Sequence, residues 1–277
     1  MSAQVRITGA TRVYAIVGDP IAQVRSPEVF TERFAAAGID AIMVPAQVPA
    51  ARFDTIIPAL MALGNLDGLL VTVPFKARML PFAHHVGAAA SAIGAVNALR
   101  READGSWSGD MFDGAGFVRG ALNKGQQLRG RRVRQFGAGG AGSAIACALA
   151  EAGIASIRIE DPDAARAAAL VAAVRKAFPA CAAAVATGTN AGFDMIVNAS
   201  PIGMRADDGL PGDIGELAPG TLVGDVVITE TPSALVRHAI ERGCAWVNGR
   251  DMHGGQVDAL LGFFLPGLQT PGAAGAT

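Results

Sequence analysis

Tyrosine occurs once in this chain, as Tyr14, and lysine three times, as Lys76, Lys124 and Lys176, against twenty arginines. No lysine stands four residues after Tyr14, which argues against dehydrogenases built on a Tyr-x-x-x-Lys acid–base pair. Cys147, Cys181 and Cys244 are scattered and form no C-x-x-C pair. Disulfides and structural zinc are therefore not expected, and a reducing cytoplasm fits. The four histidines, His84, His85, His238 and His253, lack metal-ligand spacing, so no metal is expected. Charge of one sign is also missing. Lys and Arg number 23 against 24 Asp and Glu, a net charge of -1, which leaves no basic footprint for nucleic acid or an anionic membrane. No apolar run approaches the ~18 residues of a membrane span. The opening Met-Ser-Ala-Gln-Val-Arg has no signal-peptide core.

What is present is apolar and alternating. The 277 residues are 51% hydrophobic and 17% charged, enough for one or two globular domains with a large core. From Arg131 to Asp161 the chain reads as a short strand, the glycine turn Gly137-Ala138-Gly139-Gly140-Ala141-Gly142, an alanine-rich helix ending at Gly153, and a second strand through Ile157 and Ile159. This is the opening βαβ unit of a dinucleotide-binding sheet. Gly137 permits the tight turn, Gly139 lets backbone approach a pyrophosphate, and Gly142 lets helix and strand pack closely. The helix start then offers N–H groups and partial positive charge to phosphate. Glycines that merely allow close packing are the competing reading.

Before residue 100 strands and helices also alternate, without a phosphate fingerprint. Arg12 to Val17, Ala41 to Val48 and Asp67 to Val73 read as strands. Ser26 is expected to cap a helix reaching Ala37, with Pro27 at its first position. Phe53 to Leu63 has helical spacing, with a kink or late start expected at Pro58. Strands flank an Asp104-Gly105 turn, and Gly114 to Leu122 is a linker helix. Later helices are expected at 164–178, 233–242 and 257–264, strands at 195–197 and 222–227, and a frayed low-complexity tail at 266–277. The expected fold is α/β and two-lobed. An N-terminal α/β substrate and catalytic domain spans 1–113 with 250–277, and a Rossmann-type dinucleotide-binding domain spans 114–249. Two such lobes imply a cleft, where ligands usually sit.

Two residues stand out for chemistry. Lys76 follows a buried strand at a helix start, where the macrodipole disfavours a cation. It is either a solvated lysine or an amine able to trade a proton, which arginine cannot do. Asp113 is either the N-cap of the linker helix or a carboxylate for an ammonium or a substrate hydroxyl.

Several ordered motifs resemble the shikimate/quinate dehydrogenase family over nearly the whole chain. Gly18-Asp-Pro-Ile21 with Ser26-Pro27 resembles its opening GxPIxHSxSP. Val71-Thr-Val-Pro-Phe-Lys76 resembles VTVP-x-K, Ala95-Val-Asn97 resembles A-x-N-T, and Gly109-Asp110 with Asp113-Gly114 resembles G-x-N-T-D-G. Val197 to Met204 resembles the loop closing over nicotinamide, and Asn248-Gly249, Met252 and Gln256 resemble NG-x-x-M-x-x-x-Q. The resemblance implies that Lys76 and Asp113 are the catalytic pair and that Ser26, Thr72, Asn97 and Gln256 bind substrate. It implies that Gly137, Ala138, Gly139, Gly140, Ala141, Asp161, Asn198, Ser200 and Met204 bind cofactor. The implied reaction interconverts a cyclic hydroxy acid and its keto form, of the shikimate or quinate type, in a monomer or homodimer.

Departures modify that expectation. Val24 stands where the family has the first serine of HSxSP, Leu70 where it has asparagine, and Ile228 where it has the tyrosine of D-x-x-Y-x-P. Three polar contacts would be lost, each worth about 0.5–1.5 kcal/mol net, so a less hydroxylated or differently substituted ring acid is expected. Arg25 is a candidate replacement clamp for a carboxylate. Asp161, with Glu160 and Asp163, points to NAD in preference to NADP, because an acid accepts ribose hydroxyls and repels a 2′-phosphate. The competing readings are a related dehydrogenase of another hydroxylated ring and a nucleotide-binding regulator without turnover.

Overall fold

The structure is a computed structural model that describes residues 6–187, 192–205 and 207–266. The expected tail beyond Pro266 lies outside the described residues. Contacts divide the chain into two units, one of Met1–Met111 with Asp258–Thr277 and one of Phe112–Val257.

The first unit runs β1 (Arg12–Gly18), α1 (Ser26–Ala36), β2 (Ala41–Gln47), α2 (Phe53–Met61), β3 (Leu66–Val71), α3 (Lys76–Met79), β4 (His85–Val86), α4 (Ala88–Ile93), β5 (Ala98–Arg101) and β6 (Trp107–Asp110). Its sheet has the order β2-β1-β3-β5-β6-β4, with β1 parallel to β2 and β3, and β5 antiparallel to β3 and β6. β1 is almost wholly buried, as its Val-Tyr-Ala-Ile-Val run requires of a strand covered on both faces. The Tyr14 ring packs 4.7 Å from Phe34 of α1 and 5.1 Å from Phe264. Gly68 leaves room for those rings, since a Cβ there would lie 2.7 Å from Tyr14 and 2.8 Å from Phe264.

Two local expectations for this unit change. Ser26 is the first helical residue of α1 and not its cap; Arg25 flanks the helix, and no side chain caps it. α2 runs unbroken through Pro58 after a 3-10 turn at Ala50–Arg52. Burial of Phe53, Ile57 and Met61 along one face holds it despite the missing N–H.

The second unit runs α5 (Asp113–Asn123), β7 (Arg132–Phe136), α6 (Gly140–Glu151), β8 (Ser156–Glu160), α7 (Ala164–Ala177), β9 (Ala182–Val185), β10 (Met195–Asn198), β11 (Leu222–Asp225), α8 (Ala234–Glu241), β12 (Ala245–Asn248) and α9 (Gly249–Phe264). From Asp258 onward the residues of α9 belong to the first unit. The sheet order is β12-β11-β10-β7-β8-β9, all parallel, which is the doubly wound arrangement. Glycines set how closely α5 is approached by its neighbours. A Cβ on Gly114 would lie 2.1 Å from the Ala144 carbonyl of α6. One on Gly120 would lie 2.6 Å from the Asp251 carbonyl of α9.

Candidate functional site

In the first unit, main-chain hydrogen bonds gather the polar residues at the C-terminal ends of β1 and β3. Thr72 N–H donates to Val17 O at 2.9 Å and Asp19 N–H to Val73 O at 3.0 Å, so the loops leaving the two strands are locked together. Gly18 is required there, because a Cβ would lie 2.3 Å from the Thr72 methyl. Val71 N–H donates to Asn97 O at 2.8 Å, and Val96 N–H donates to Lys76 O at 3.0 Å. Thr72, Lys76 and Asn97 are thus fixed by backbone bonding around one strand end. Asn97 is 4% exposed, Thr72 and Lys76 are partly buried, and Ser26 is buried at the first residue of α1. A hydroxyl, an amide and an amine held by rigid elements can orient a hydroxylated substrate and move a proton.

The three departures fall in different settings. Leu70 is buried within β3, Val24 is partly buried, and Ile228 of the second unit is exposed. Arg25 is not a free clamp. Its guanidinium pairs with Glu28 at 2.9 Å on the exposed surface of α1.

In the second unit, Asp113 opens α5 and is 3% exposed, and no side-chain cap is made at the preceding Phe112. Gln256 of α9 packs on Gly116, one turn further along α5, where a Cβ would meet the Gln256 Cβ at 2.7 Å. Lys124 is spent elsewhere. It bonds Asp251 at 3.1 Å and lies 3.6 Å from the Trp246 ring centroid.

The glycine loop has the form a pyrophosphate needs. Gly137 has φ of 98°, and its N–H donates to Glu160 O at 2.7 Å. A Cβ on Gly142 would lie 2.3 Å from Gly137 O, so the turn and the helix can close only without a side chain there. At Gly139, which flanks α6, a Cβ would meet nothing within 4 Å, and no side chain caps the helix. The first-turn N–H groups have no partner inside a helix, so this open backbone is suited to an anion. A nicotinamide dinucleotide fits these residues.

Three residues that organise the loop and its neighbours were not singled out as functional in the sequence. Gln135, fully buried in β7, donates from Nε2 to Gly137 O and Gly142 O, both at 2.9 Å. Asp225 accepts from Asn198 Nδ2 at one oxygen and from Ser233 Oγ–H at the other. The available signals were a glutamine directly before the glycine turn, in Gln135-Phe136-Gly137, and an acid closing the apolar strand Leu-Val-Gly-Asp225. Asn198 is fully buried and Ser200 bonds to it, whereas Met204 is exposed. Among the described residues, no group of His, Cys, Asp or Glu is arranged to hold a metal. No helix among them is long and apolar enough to cross a membrane.

Comparison with known proteins bears on both halves. The model of the family described as the shikimate dehydrogenase substrate binding domain matches residues 16–99. The NADP(+) shikimate dehydrogenase of Rubrobacter xylanophilus is 37% identical over 254 residues, 89% of this chain and 88% of that protein. Among solved structures, shikimate 5-dehydrogenase of Listeria monocytogenes, in complex with shikimate and NAD, has a TM-score of 0.84 at 27% identity and covers 96% and 95% of the two chains. The 5-ketofructose reductase of Gluconobacter has a TM-score of 0.80 at 27% identity and covers 92% and 93%.

The expectation of NAD over NADP is overturned. The Rubrobacter relative and three others at 31% to 34% identity are named as NADP(+) enzymes. The acids that suggested NAD are occupied in the structure. Asp161 accepts the N–H groups of Ala138 at 2.8 Å and Asp163 at 2.9 Å. Glu160 is paired with Arg134. Asp163 caps α7, accepting from Ala165 and Arg166. Acids satisfied in this way are not the unsatisfied acceptors facing a ribose that their spacing implied.

Proposed function

Since the chain belongs to the shikimate dehydrogenase family, we propose that it is an NADP-dependent dehydrogenase interconverting a cyclic hydroxy acid and its keto form. The observation that carries this reading is the backbone-locked group of Thr72, Lys76 and Asn97 at the ends of β1 and β3. Lys76 is the proton-transfer group for the reacting hydroxyl, and Asp113 is the second catalytic residue that the family's pattern assigns. Thr72, Asn97, Ser26 and Gln256 hydrogen-bond the substrate. When bound, the dinucleotide supplies the hydride acceptor or donor. The residues from Gly137 to Ala141 would hold its pyrophosphate, Asp161 steadies that loop, and Asn198, Ser200 and Met204 would hold its nicotinamide end.

The chain departs from the family's pattern at Val24, Leu70 and Ile228. A less hydroxylated acid is favoured over shikimate. A second reading, a polyhydroxy ketone without a carboxylate, is favoured by the pairing of Arg25 with Glu28 and by the likeness to 5-ketofructose reductase. The test is a panel of cyclic hydroxy acids and polyols assayed with NADP and with NAD, read by nicotinamide absorbance. Reduction of NADP by a cyclic hydroxy acid is expected. Turnover of polyols alone would select the second reading. Dinucleotide binding without any turnover would contradict both.

A further inference from the structure

Two loops of the second unit carry residues assigned above to the ligands. The loop after β10 holds Ser200 and Met204, and the loop after β11 holds Ile228 at the family's tyrosine position. They leave adjacent parallel strands that end in register, Asn198 opposite Asp225. Asp225 is 1% exposed, and burial pushes its carboxyl above the usual carboxylate range. A buried acid needs donors, and this one draws them from the end of β10 and from the loop after β11. Asn198 Nδ2 donates to Oδ1 at 3.0 Å, Val227 N–H donates to the same oxygen at 3.1 Å, and Ser233 Oγ–H donates to Oδ2.

Each donor is itself built into a loop. Asn198 Nδ2 also donates to Ile202 O at 2.8 Å, and Asn198 Oδ1 accepts from Ser200 N–H at 3.1 Å and Ser200 Oγ–H at 2.7 Å. Gly203, at φ of 102°, brings the same loop back until its Cβ direction lies 3.5 Å from the Ser233 Cβ and 4.0 Å from Asp225 Oδ2. Ser233 accepts from Val236 N–H at 3.2 Å and so fixes where the second loop enters α8. Beneath that loop, Gly249 leaves room for Ile228, whose Cγ1 would stand 2.6 Å from a Cβ there.

We propose that Asp225 is a positioning residue whose carboxylate ties the cofactor-facing loop after β10 to the substrate-facing loop after β11, so that the two are set as one. What the loops face rests on the function proposed above; the tie itself rests on the hydrogen bonds alone. A carboxylate suits this place because it accepts at both oxygens and donates at neither. An amide preserves the Oδ1 half and requires the Ser233 hydroxyl to turn and accept.

The experiment compares wild type with Asp225→Ala, Asp225→Asn and Ser233→Ala by backbone hydrogen exchange and by NADPH fluorescence titration. Asp194→Asn serves as comparator, since Asp194 lies at the opposite end of β10 and bonds Arg132. Asp225→Ala is expected to speed exchange in 199–205 and 226–232 together and to weaken NADPH binding about tenfold. Asp225→Asn restores most of the binding. Ser233→Ala, the milder change should Asp225→Ala not fold, shows the same paired rise in exchange. Asp194→Asn lowers Tm and leaves both loops and the affinity unchanged. Faster exchange in 226–232 alone, or wild-type affinity in folded Asp225→Ala, would overturn the proposal. Failure of the wild type to turn over any substrate would remove the proposed function and leave the exchange result to judge the tie.

Discussion

The Asp161 carboxylate accepts the Ala138 backbone N–H at 2.8 Å, which joins the end of β8 to the glycine loop. In the function proposed, Asp161 acts on the dinucleotide through the shape of the loop. Asp161→Ala is expected to raise the KM for NADP by about tenfold, the order of one charged hydrogen bond. If the acid acted mainly by repelling a 2′-phosphate, the same variant would bind NADP more tightly. Steady-state kinetics with NADP varied separates the two.

Gly139 and Gly114 differ in what a methyl group would meet. At Gly139 nothing lies within 4 Å, whereas at Gly114 the Ala144 carbonyl is 2.1 Å away. Gly139→Ala should keep the wild-type Tm and lose dinucleotide affinity, because the added methyl fills the space left for pyrophosphate. Gly114→Ala should destabilise the second unit by about 1–3 kcal/mol or more through overpacking. Thermal melts paired with NADPH titration check both, and a stable Gly139→Ala that binds normally would remove the phosphate from that loop.

Ile228 is exposed where the family's pattern carries a tyrosine. Ile228→Tyr adds a hydroxyl at the substrate-facing loop and is expected to lower the KM for shikimate severalfold, the order of one hydrogen bond. Unchanged KM for every carboxylate in the panel would show that this position does not set ring-acid preference.

The sheet of the second unit was largely legible because its signals are local. The strand through Phe136, the glycine turn and the helix to Glu151 follow from apolar run, φ-permissive residues and alanine content. β9 and β12 were missed. β9 is Ala-Ala-Ala-Val185, with no strand preference of its own, and is held by pairing with β8. α9 was expected only from Val257 yet begins at Gly249. Glycine disfavours helix interiors, but Gly255 is where the helix meets α5, a Cβ there lying 2.3 Å from Gly116 O. Lys76 and Asp113 stood out in the sequence by residue type and position. The partners of Asp161 and Asp225 were invisible, because no local pattern says which backbone N–H will face a carboxylate. That gap produced the mistaken preference for NAD.

Asp194 gives a signed pH dependence. Its hydrogen bonds to Arg132 hold the carboxyl at about 2, below its ordinary 3.8. A depressed acid stabilises the fold while ionised, so this contribution is present above about pH 4 and is lost as pH falls toward 2. Asp194→Asn should flatten that part of the acid limb in a Tm-against-pH series. Added salt should shrink the difference, because the pair is partly exposed. An unchanged acid limb in the variant would assign the loss to other groups.

In the proposed reaction Lys76 moves the proton of the reacting hydroxyl. Lys76→Met keeps the unbranched stem of the side chain and removes its amine. The measurement is kcat of this variant on the best substrate of the panel, alongside its NADPH dissociation constant. A fall in kcat of about 10²–10⁴-fold is expected, with the dissociation constant unchanged. A folded Lys76→Met enzyme that binds NADPH and turns over at the wild-type rate would contradict it.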